Sequence, residues 1–451
     1  MKKSILIISV LILLFNTACN NILNVEPEIY VSDNTAFTDD KSAYAALIGV
    51  YDAAQNYYGP NLNSHNVISD NVVNNTSPGN IIPTLTAAGS SGADPTGGGA
   101  YGSMYEAINR ANSVIVKTAA LSETVISTAS KNQYLGEAYF LRALAYATLV
   151  KTYGGVPIVL EPTSSPTQDN GIKRSTAAEN YAQILTDLDK AESLLSTTIV
   201  RNRANKWSVY ALKARIYLYT EKWDLAEEQA NKLISNTTFK LVKPYSTFYT
   251  TAKSDESIFE LTFSAADKNP VYTNYLAALD GGRLDYIPEG NFVAQLLDPN
   301  LGGARKSLVK LQPDGKYTLT EYGKQDGSSS FFVLRLAEQY LIRAEARANK
   351  TTADLVGAVA DINLIKTRSD VPSFVSTSAT TKQDILLAIE KERRYELGFE
   401  GHRFIDIVRT NRAAKVFGDL NPLFTNPQRW VFPIPYGQLL ADPDLVQNPG
   451  Y

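Results

Sequence analysis

Residues 390–409 read Glu390-Lys391-Glu392-Arg393-Arg394-Tyr395-Glu396-Leu397-Gly398-Phe399-Glu400-Gly401-His402-Arg403-Phe404-Ile405-Asp406-Ile407-Val408-Arg409. The run is dense in charge yet laced with aromatic and aliphatic residues, which a purely solvated helix face does not need. Helical spacing sets Glu390 four residues before Arg394 and Asp406 three residues from both Arg403 and Arg409, so ion pairs orienting a helix and the turn after it are expected. The carboxylates of Glu390, Glu392, Glu396 and Glu400 near His402 therefore read as structural rather than as an acid/base pair. The chain has two histidines and one cysteine. A histidine-based metal site, a disulfide framework and a cysteine nucleophile are not expected.

Outward from this run the chain is mostly helical in pattern. Helices are expected over about 41–57, 105–120, 132–153, 177–195, 206–220, 333–349, 353–368 and 382–397. Tyr153-Gly154-Gly155-Val156-Pro157 closes one of them, with glycine at the stop and proline beyond. Leu141-Arg142-Ala143, Leu212-Lys213-Ala214 and Ile342-Arg343-Ala344 form a weak internal repeat. The best-formed unit runs from Trp207 to Tyr217 and continues through Trp223, Ala226 and Ala230, where small residues let two antiparallel helices approach closely. That spacing resembles a tetratricopeptide repeat. The fold class expected is all-α: a helical-repeat scaffold over 41–239 and 331–451. A loop-rich lobe over 240–330 interrupts it, with short strands such as Ser257-Ile258-Phe259-Glu260-Leu261-Thr262-Phe263.

The chain is 451 residues long, long enough for a large core, with 43 basic and 46 acidic residues and a net charge of −3. With no polybasic block, a nucleic-acid surface is not expected. At the N-terminus, Lys2 and Lys3 precede an apolar run from Ile5 to Phe15, then Thr17, Ala18 and Cys19. This reads as an export signal over 1–18, too short to span a bilayer stably. The lone Cys19 resembles the lipidated first residue of a bacterial lipoprotein, although Asn16 stands where leucine is usual. Residues 19–40 would form a lipidated extended leader.

Two segments carry binding chemistry. Residues 61–101 are rich in Asn, Ser, Gly, Thr and Pro, and a long irregular stretch of this kind is commonly functional. Its candidate ligand residues are Asn66, Asp70, Asn71, Asn74 and Tyr101. In the 240–330 lobe the candidates are Tyr272, Tyr275, Arg283, Asp285 and Tyr286. Sugar rings stack on aromatic faces, and their hydroxyls need planar amide, carboxylate or guanidinium partners. Gly97-Gly98-Gly99 lacks the Lys-Ser/Thr of a phosphate loop. No catalytic motif and no catalytic residue is identified, so an enzyme is not expected.

Together these pieces resemble the SusD/RagB family. The resemblance rests on Cys19, Asp70-Asn71, the 153–157 corner, Arg335 to Ala346, Glu392 to Arg409, Pro433-Ile434-Pro435 and Asn448-Pro449-Gly450-Tyr451. It implies a bundle with four tetratricopeptide-like units and a variable lobe. The implied role is a lipid-anchored outer-membrane protein, facing the cell exterior, that binds a glycan without cleaving it. It would hand that nutrient to a SusC-like TonB-dependent transporter docked on the helical-repeat side. No cofactor is expected, and a bound calcium is left open. Starch-binding members use tryptophans, whereas Trp207, Trp223 and Trp430 fall here in scaffold segments, so tyrosines would supply the stacking surface. The alternatives are a peptide-capturing RagB-like protein, or a tethered tetratricopeptide scaffold that holds only protein partners.

Overall fold

The computed structural model describes residues 37–75, 100–163, 168 and 171–451, so Cys19 and the leader lie outside it. Eleven of its helices, labelled here, carry the argument. The first six are α1 (Asp40–Ile68), α2 (Ala100–Ala120), α3 (Thr128–Tyr153), α4 (Ala177–Leu194), α5 (Lys206–Tyr219) and α6 (Trp223–Ile234). After the lobe helix α7 (Gly290–Leu297) come α8 (Leu336–Asn349), α9 (Leu355–Arg368), α10 (Lys382–Glu396) and α11 (Arg403–Arg409). Neighbouring helices pack pairwise: α1 on α2, α2 on α3, α3 on α4, α5 on α6, then α6 on α8 and α8 on α9.

The small-residue pattern does what the sequence implies. Ala214, Ala226, Ala230, Ile342 and Ala346 are buried together where α5, α6 and α8 meet. The cation of each repeat unit reaches a neighbouring helix. Arg142 grips Asp187 of α4 through Nε (2.8 Å) and Nη2 (2.7 Å). Arg343 holds Asp361 of α9 in the same two-pronged way, at 2.9 and 2.6 Å. Lys213 reaches back to Asp189 (2.6 Å). A bidentate guanidinium–carboxylate pair fixes angle as well as distance, so the repeated arginine sets the register between two helices.

Strands are short and come in antiparallel pairs. The first pair joins β1 (Val72–Asn74) to β3 (Tyr286–Pro288), and the second β2 (Ser257–Leu261) to β6 (Phe331–Arg335). The third joins β4 (Val309–Leu311) to β5 (Tyr317–Leu319). β2 and β6 are buried throughout, with Ser257, Glu260 and Arg335 buried among their apolar residues. Residues 333–335, expected to open a helix, are therefore the end of β6, and α8 starts only at Leu336. The helix expected to end at Tyr57 runs on to Ile68, with Pro60 inside it. Burial of Tyr57, Leu62 and Ile68 against the core overrides the local propensity.

At the centre lies a buried ionic cluster. Arg335 donates from Nε to Glu400 (3.0 Å), from Nη1 to Glu396 (3.1 Å) and to Glu256, and from Nη2 to the Glu396 carbonyl (2.9 Å). Arg368 joins Glu256 (2.7 Å) to Glu396, and Arg305 joins Glu396 (3.0 Å) to Glu392. The side chains involved are at most 4% exposed. Burial alone would raise the Glu396 carboxyl. The charges of Arg368, Arg305 and Arg335 outweigh that and hold it at about 2.

The pairs expected along the 390–409 run are replaced in part. Glu390 bonds Arg403 (3.2 Å) and Arg412 (2.6 Å), not Arg394, while Asp406 keeps Arg409 (2.9 Å) but takes Arg393 (2.7 Å) in place of Arg403. The cause is burial: partners on other elements can be desolvated and held rigidly, whereas pairs along an exposed helix face are weak.

Replacing Arg335 with leucine strands the buried Glu400 carboxylate and takes one of the arginine partners from Glu256 and from Glu396. Chemical denaturation is expected to show a loss of about 3–5 kcal/mol. Because Glu396 titrates lower in the folded chain than its ordinary 4.5, its contribution is complete above that value. That contribution should be lost as pH falls from about 4.5 toward about 2. Thermal melts across that window should show the fall in wild type.

Candidate functional site

The two candidate segments, far apart in sequence, meet in space. α1 is capped by Ser69, whose hydroxyl donates to the Asn66 carbonyl (2.6 Å) and accepts from the Asn71 amide (3.2 Å). The chain then enters β1, in which Asn74 lies opposite Tyr286 of β3. Backbone bonds extend the ladder at both ends: the Asn75 amide to the Asp285 carbonyl and the Glu289 amide to the Asn71 carbonyl, both 2.8 Å. The Asn75 carboxamide donates to the Leu284 carbonyl (2.9 Å) and accepts from Lys316 (3.1 Å).

On the lobe side, Asp285 is the organising acid. Its Oδ2 accepts from Asn274 (2.7 Å) and from Arg283 Nε (2.9 Å). The Arg283 side chain is 64% exposed, leaving much of its guanidinium toward solvent. Tyr286 is half-buried, and burial, then the Asp285 charge, raises its hydroxyl above the ordinary value. Tyr272 is also half-buried, with Lys268 Nζ 5.4 Å from its ring centre. Arg283, Asp285, Tyr286, Tyr272 and Asn74 therefore present guanidinium, carboxylate, phenol and carboxamide groups around one short ladder. Beside it a cleft of about 440 Å³ is lined by Asp70, Asn74, Asn291, Gln295, Arg394 and Leu420 among others.

The remaining candidates lie inside the protein. Tyr101 is 3% exposed and packs edge-on against Tyr153 at 5.0 Å, while Tyr275 is fully buried and donates to Asn63. Neither ring can meet a ligand from solution. Asn66 and Asn71 are also buried, and they latch α1 to the signature run. Asn66 donates to the Phe399 carbonyl (2.7 Å) and accepts from the Gly401 amide (3.0 Å); Asn71 donates to the Gly398 carbonyl (2.8 Å). Gly401 has φ +75°, a left-handed conformation in which a side chain would be strained. Asp70 completes the latch with Arg403 (2.8 Å) and Arg394 (3.1 Å). Burial opposes its ionisation, but hydrogen bonding and charge from Arg403, then the charge of Arg394, leave the carboxyl lowered. Of that latch, Asp70 and Arg394 also border the cleft. Gln295 and Asn291 escaped the sequence reading, because one polar residue on an apolar helix carries no local signal.

The carboxylates near His402 are engaged in ion pairs. Glu390, Glu392, Glu396, Glu400 and Asp406 are each held by arginines. His65 bonds the Asn61 carbonyl (2.8 Å) and stacks on Phe432, and burial drives both histidines toward the neutral form. No group of three or more His, Cys, Asp or Glu residues among those described could hold a metal ion.

Two family models match the chain. Residues 23–218 fit one described as starch-binding associating with the outer membrane, and residues 303–451 fit the SusD family model. The chain belongs to the SusD/RagB family. Its curated SusD relatives include a SusD-like protein of Formosa agariphila, 25% identical with 96% of each chain covered, and one of Bacteroides ovatus, 24% identical over 90% of this chain and 82% of that one. Among solved structures, a SusD superfamily protein from Bacteroides vulgatus superposes with a TM-score of 0.80 at 23% identity, over 92% of this chain and 99% of that one. A laminarin-binding SusD-like protein superposes at 0.76 with 25% identity, covering 92% and 100%. The fold is thus the SusD helical-repeat fold. Among the described residues, no helix is long and apolar enough to cross a membrane.

The contrast between latch and surface is measurable. Asp70→Ala, which strips partners from Arg394 and Arg403, should cost about 1–3 kcal/mol in urea denaturation. Tyr275→Ala should cost about 3–5 kcal/mol, the scale for an emptied aromatic core position. Arg283→Ala should stay within about 0.5 kcal/mol of wild type.

Proposed function

We propose that this protein is a lipid-anchored, cell-surface oligosaccharide-binding protein that captures a glycan without cleaving it and passes it to a SusC-like TonB-dependent transporter. The observation that carries the reading is the β1–β3 ladder. It draws the two polar segments together and leaves Arg283, Asp285, Tyr286 and Tyr272 partly exposed around the ladder, while β1 also lines a cleft of ligand size. A guanidinium fixed by a carboxylate is a preorganised donor for vicinal hydroxyls, and a half-buried phenol offers both a ring face and a hydroxyl. The laminarin-binding neighbour supports a glycan as ligand. Asp70 and Asn74 border the same cleft and complete the proposed binding set. The pairing of the signature carboxylates with arginines supports capture rather than hydrolysis, and no cofactor enters the reading. The lipid anchor at Cys19 and the outward orientation belong to the proposal too.

Calorimetry of the mature protein against laminarin- and starch-derived oligosaccharides tests this reading. Binding is expected to weaken about tenfold in Arg283→Ala and Tyr286→Ala, the scale of one lost anchoring contact. No new reducing ends should appear during incubation. Binding of oligopeptides with none of the sugars would establish peptide capture instead. Mass spectrometry of the mature N-terminus should find an acylated Cys19.

A further inference from the structure

A second cavity, of about 380 Å³, lies in the helical-repeat scaffold, away from the ladder. Its walls come from the α5–α6 corner (Tyr219, Trp223), the end of α8 (Glu345, Asn349), one face of α10 (Gln383, Leu387, Arg393) and α11 (Asp406, Arg409). The volume falls within the ordinary range for small-molecule sites, about 300–1,000 Å³. Trp223 sits at its edge, half-buried.

The decisive group is Arg393. Its side chain is 1% exposed, and its Nε donates to Asp406 (2.7 Å), but Nη1 and Nη2 find no hydrogen-bond acceptor among the described residues. Two buried guanidinium amino groups without acceptors are costly, and Arg393 belongs to the lining of this cavity. The neighbouring charges indicate what kind of ligand would accept from them. Arg409 is taken by Glu345 (2.7 Å) and Asp406 (2.9 Å), and Arg412 by Glu390 (2.6 Å). The lining holds one more carboxylate, Glu221, so an anion would enter a site already in negative balance. A hydroxyl group fits both halves of the lining: its oxygen accepts from Arg393 and its hydrogen donates to a carboxylate. Asn349 and Gln383 add carboxamides, while Trp223 and the leucines offer apolar surface to a ring's C–H face.

We propose that this cavity is a second ligand site, taking a neutral polyhydroxy molecule the size of a mono- or disaccharide, with Arg393 as its buried donor and Trp223 at its mouth. The inference is independent of the reading of the loop site.

The test uses the full mature protein with glucose, maltose, cellobiose and laminaribiose as neutral probes, and acetate and inorganic phosphate as anionic ones. Tryptophan fluorescence and calorimetry are read in wild type, Leu387→Trp, Gln383→Trp and Arg283→Ala. The two tryptophan substitutions fill the cavity from α10 without touching an ion pair, and circular dichroism verifies that each variant folds. At least one sugar is expected to bind and to perturb Trp223 emission, with affinity reduced about tenfold or more by cavity filling. Arg283→Ala should leave it unchanged. The proposal is overturned if no sugar binds at millimolar concentration, if phosphate or acetate binds in place of sugar, or if both filling variants bind sugar as wild type does. Arg283→Ala alone abolishing sugar binding would assign all of it to the loop site and overturn the second site as well.

Discussion

Buried charge is the constraint on which this structure depends. Arg305, Arg335 and Arg368 lie where water does not reach, and each must be satisfied by carboxylates that are themselves desolvated. Their partners are four carboxylates, Glu256 just before β2 and Glu392, Glu396 and Glu400 in and after α10, while Arg335 closes β6 and Arg368 closes α9. Lys366 adds a fourth cation at 3.6 Å from Glu392, which brings the cluster close to neutrality. Such a set is satisfied only when all its elements are in place, so it selects one arrangement of lobe and scaffold. Because Glu256 and Arg305 belong to the lobe, the lobe is fastened to the repeats through their ionic centre and not merely laid on them.

The same logic reaches the candidate site. The 398–401 turn offers backbone carbonyls and one amide to Asn66 and Asn71, and Arg394 and Arg403 close on Asp70. The end of α1 is thereby held, and β1 is aimed at β3. At the far end of the chain, Asn448 donates to the carbonyls of Tyr153 (2.8 Å) and Phe432 (2.7 Å) and accepts from Arg174 (2.6 Å). The Gly154-Gly155 corner is thus tied to the terminal residues. Gly155 has no room for a side chain, since a Cβ there would lie 2.0 Å from the Ser175 carbonyl. The motifs that carried the family resemblance are therefore joints, and the residues that present chemistry to solvent hang from them.

This explains what could be read in advance. Helix periodicity, the small-residue stripes of α5 and α6, and the turn at 153–157 are local signals, and they emerge in the structure close to where they were expected. The helical continuation through Pro60 and the strand at 333–335 were not legible, because burial against distant segments decides them. For the candidate site, composition singled out two segments that meet at the β1–β3 ladder, while burial removes Asn66, Asn71, Tyr101 and Tyr275 from solvent. An asparagine that caps a strand and one that meets a ligand look alike until burial is known, and so do a core tyrosine and a surface one. Helical spacing singles out no partner for Arg393; the geometry of its two unmatched nitrogens sets it apart.

The fate of the tyrosines constrains recognition further. Tyr57, Tyr153, Tyr245, Tyr275 and Tyr322 are wholly interior, where their rings fill gaps between helices and lobe and burial pushes the hydroxyls of Tyr57, Tyr245, Tyr275 and Tyr322 up. At the ladder, Tyr286 leans on Tyr275 with ring centres 5.8 Å apart, and Tyr275 on Tyr322 at 5.5 Å. The half-exposed ring is thus the outer member of a row of tilted, packed rings. A ring held in this way loses little conformational entropy when a ligand settles on it. Anchoring a small exposed aromatic surface on buried rings, beside a guanidinium oriented by Asp285, would give the proposed site a fixed shape. For ligands that differ only in the direction of their hydroxyls, a fixed array of donors and acceptors discriminates better than a larger but mobile apolar surface.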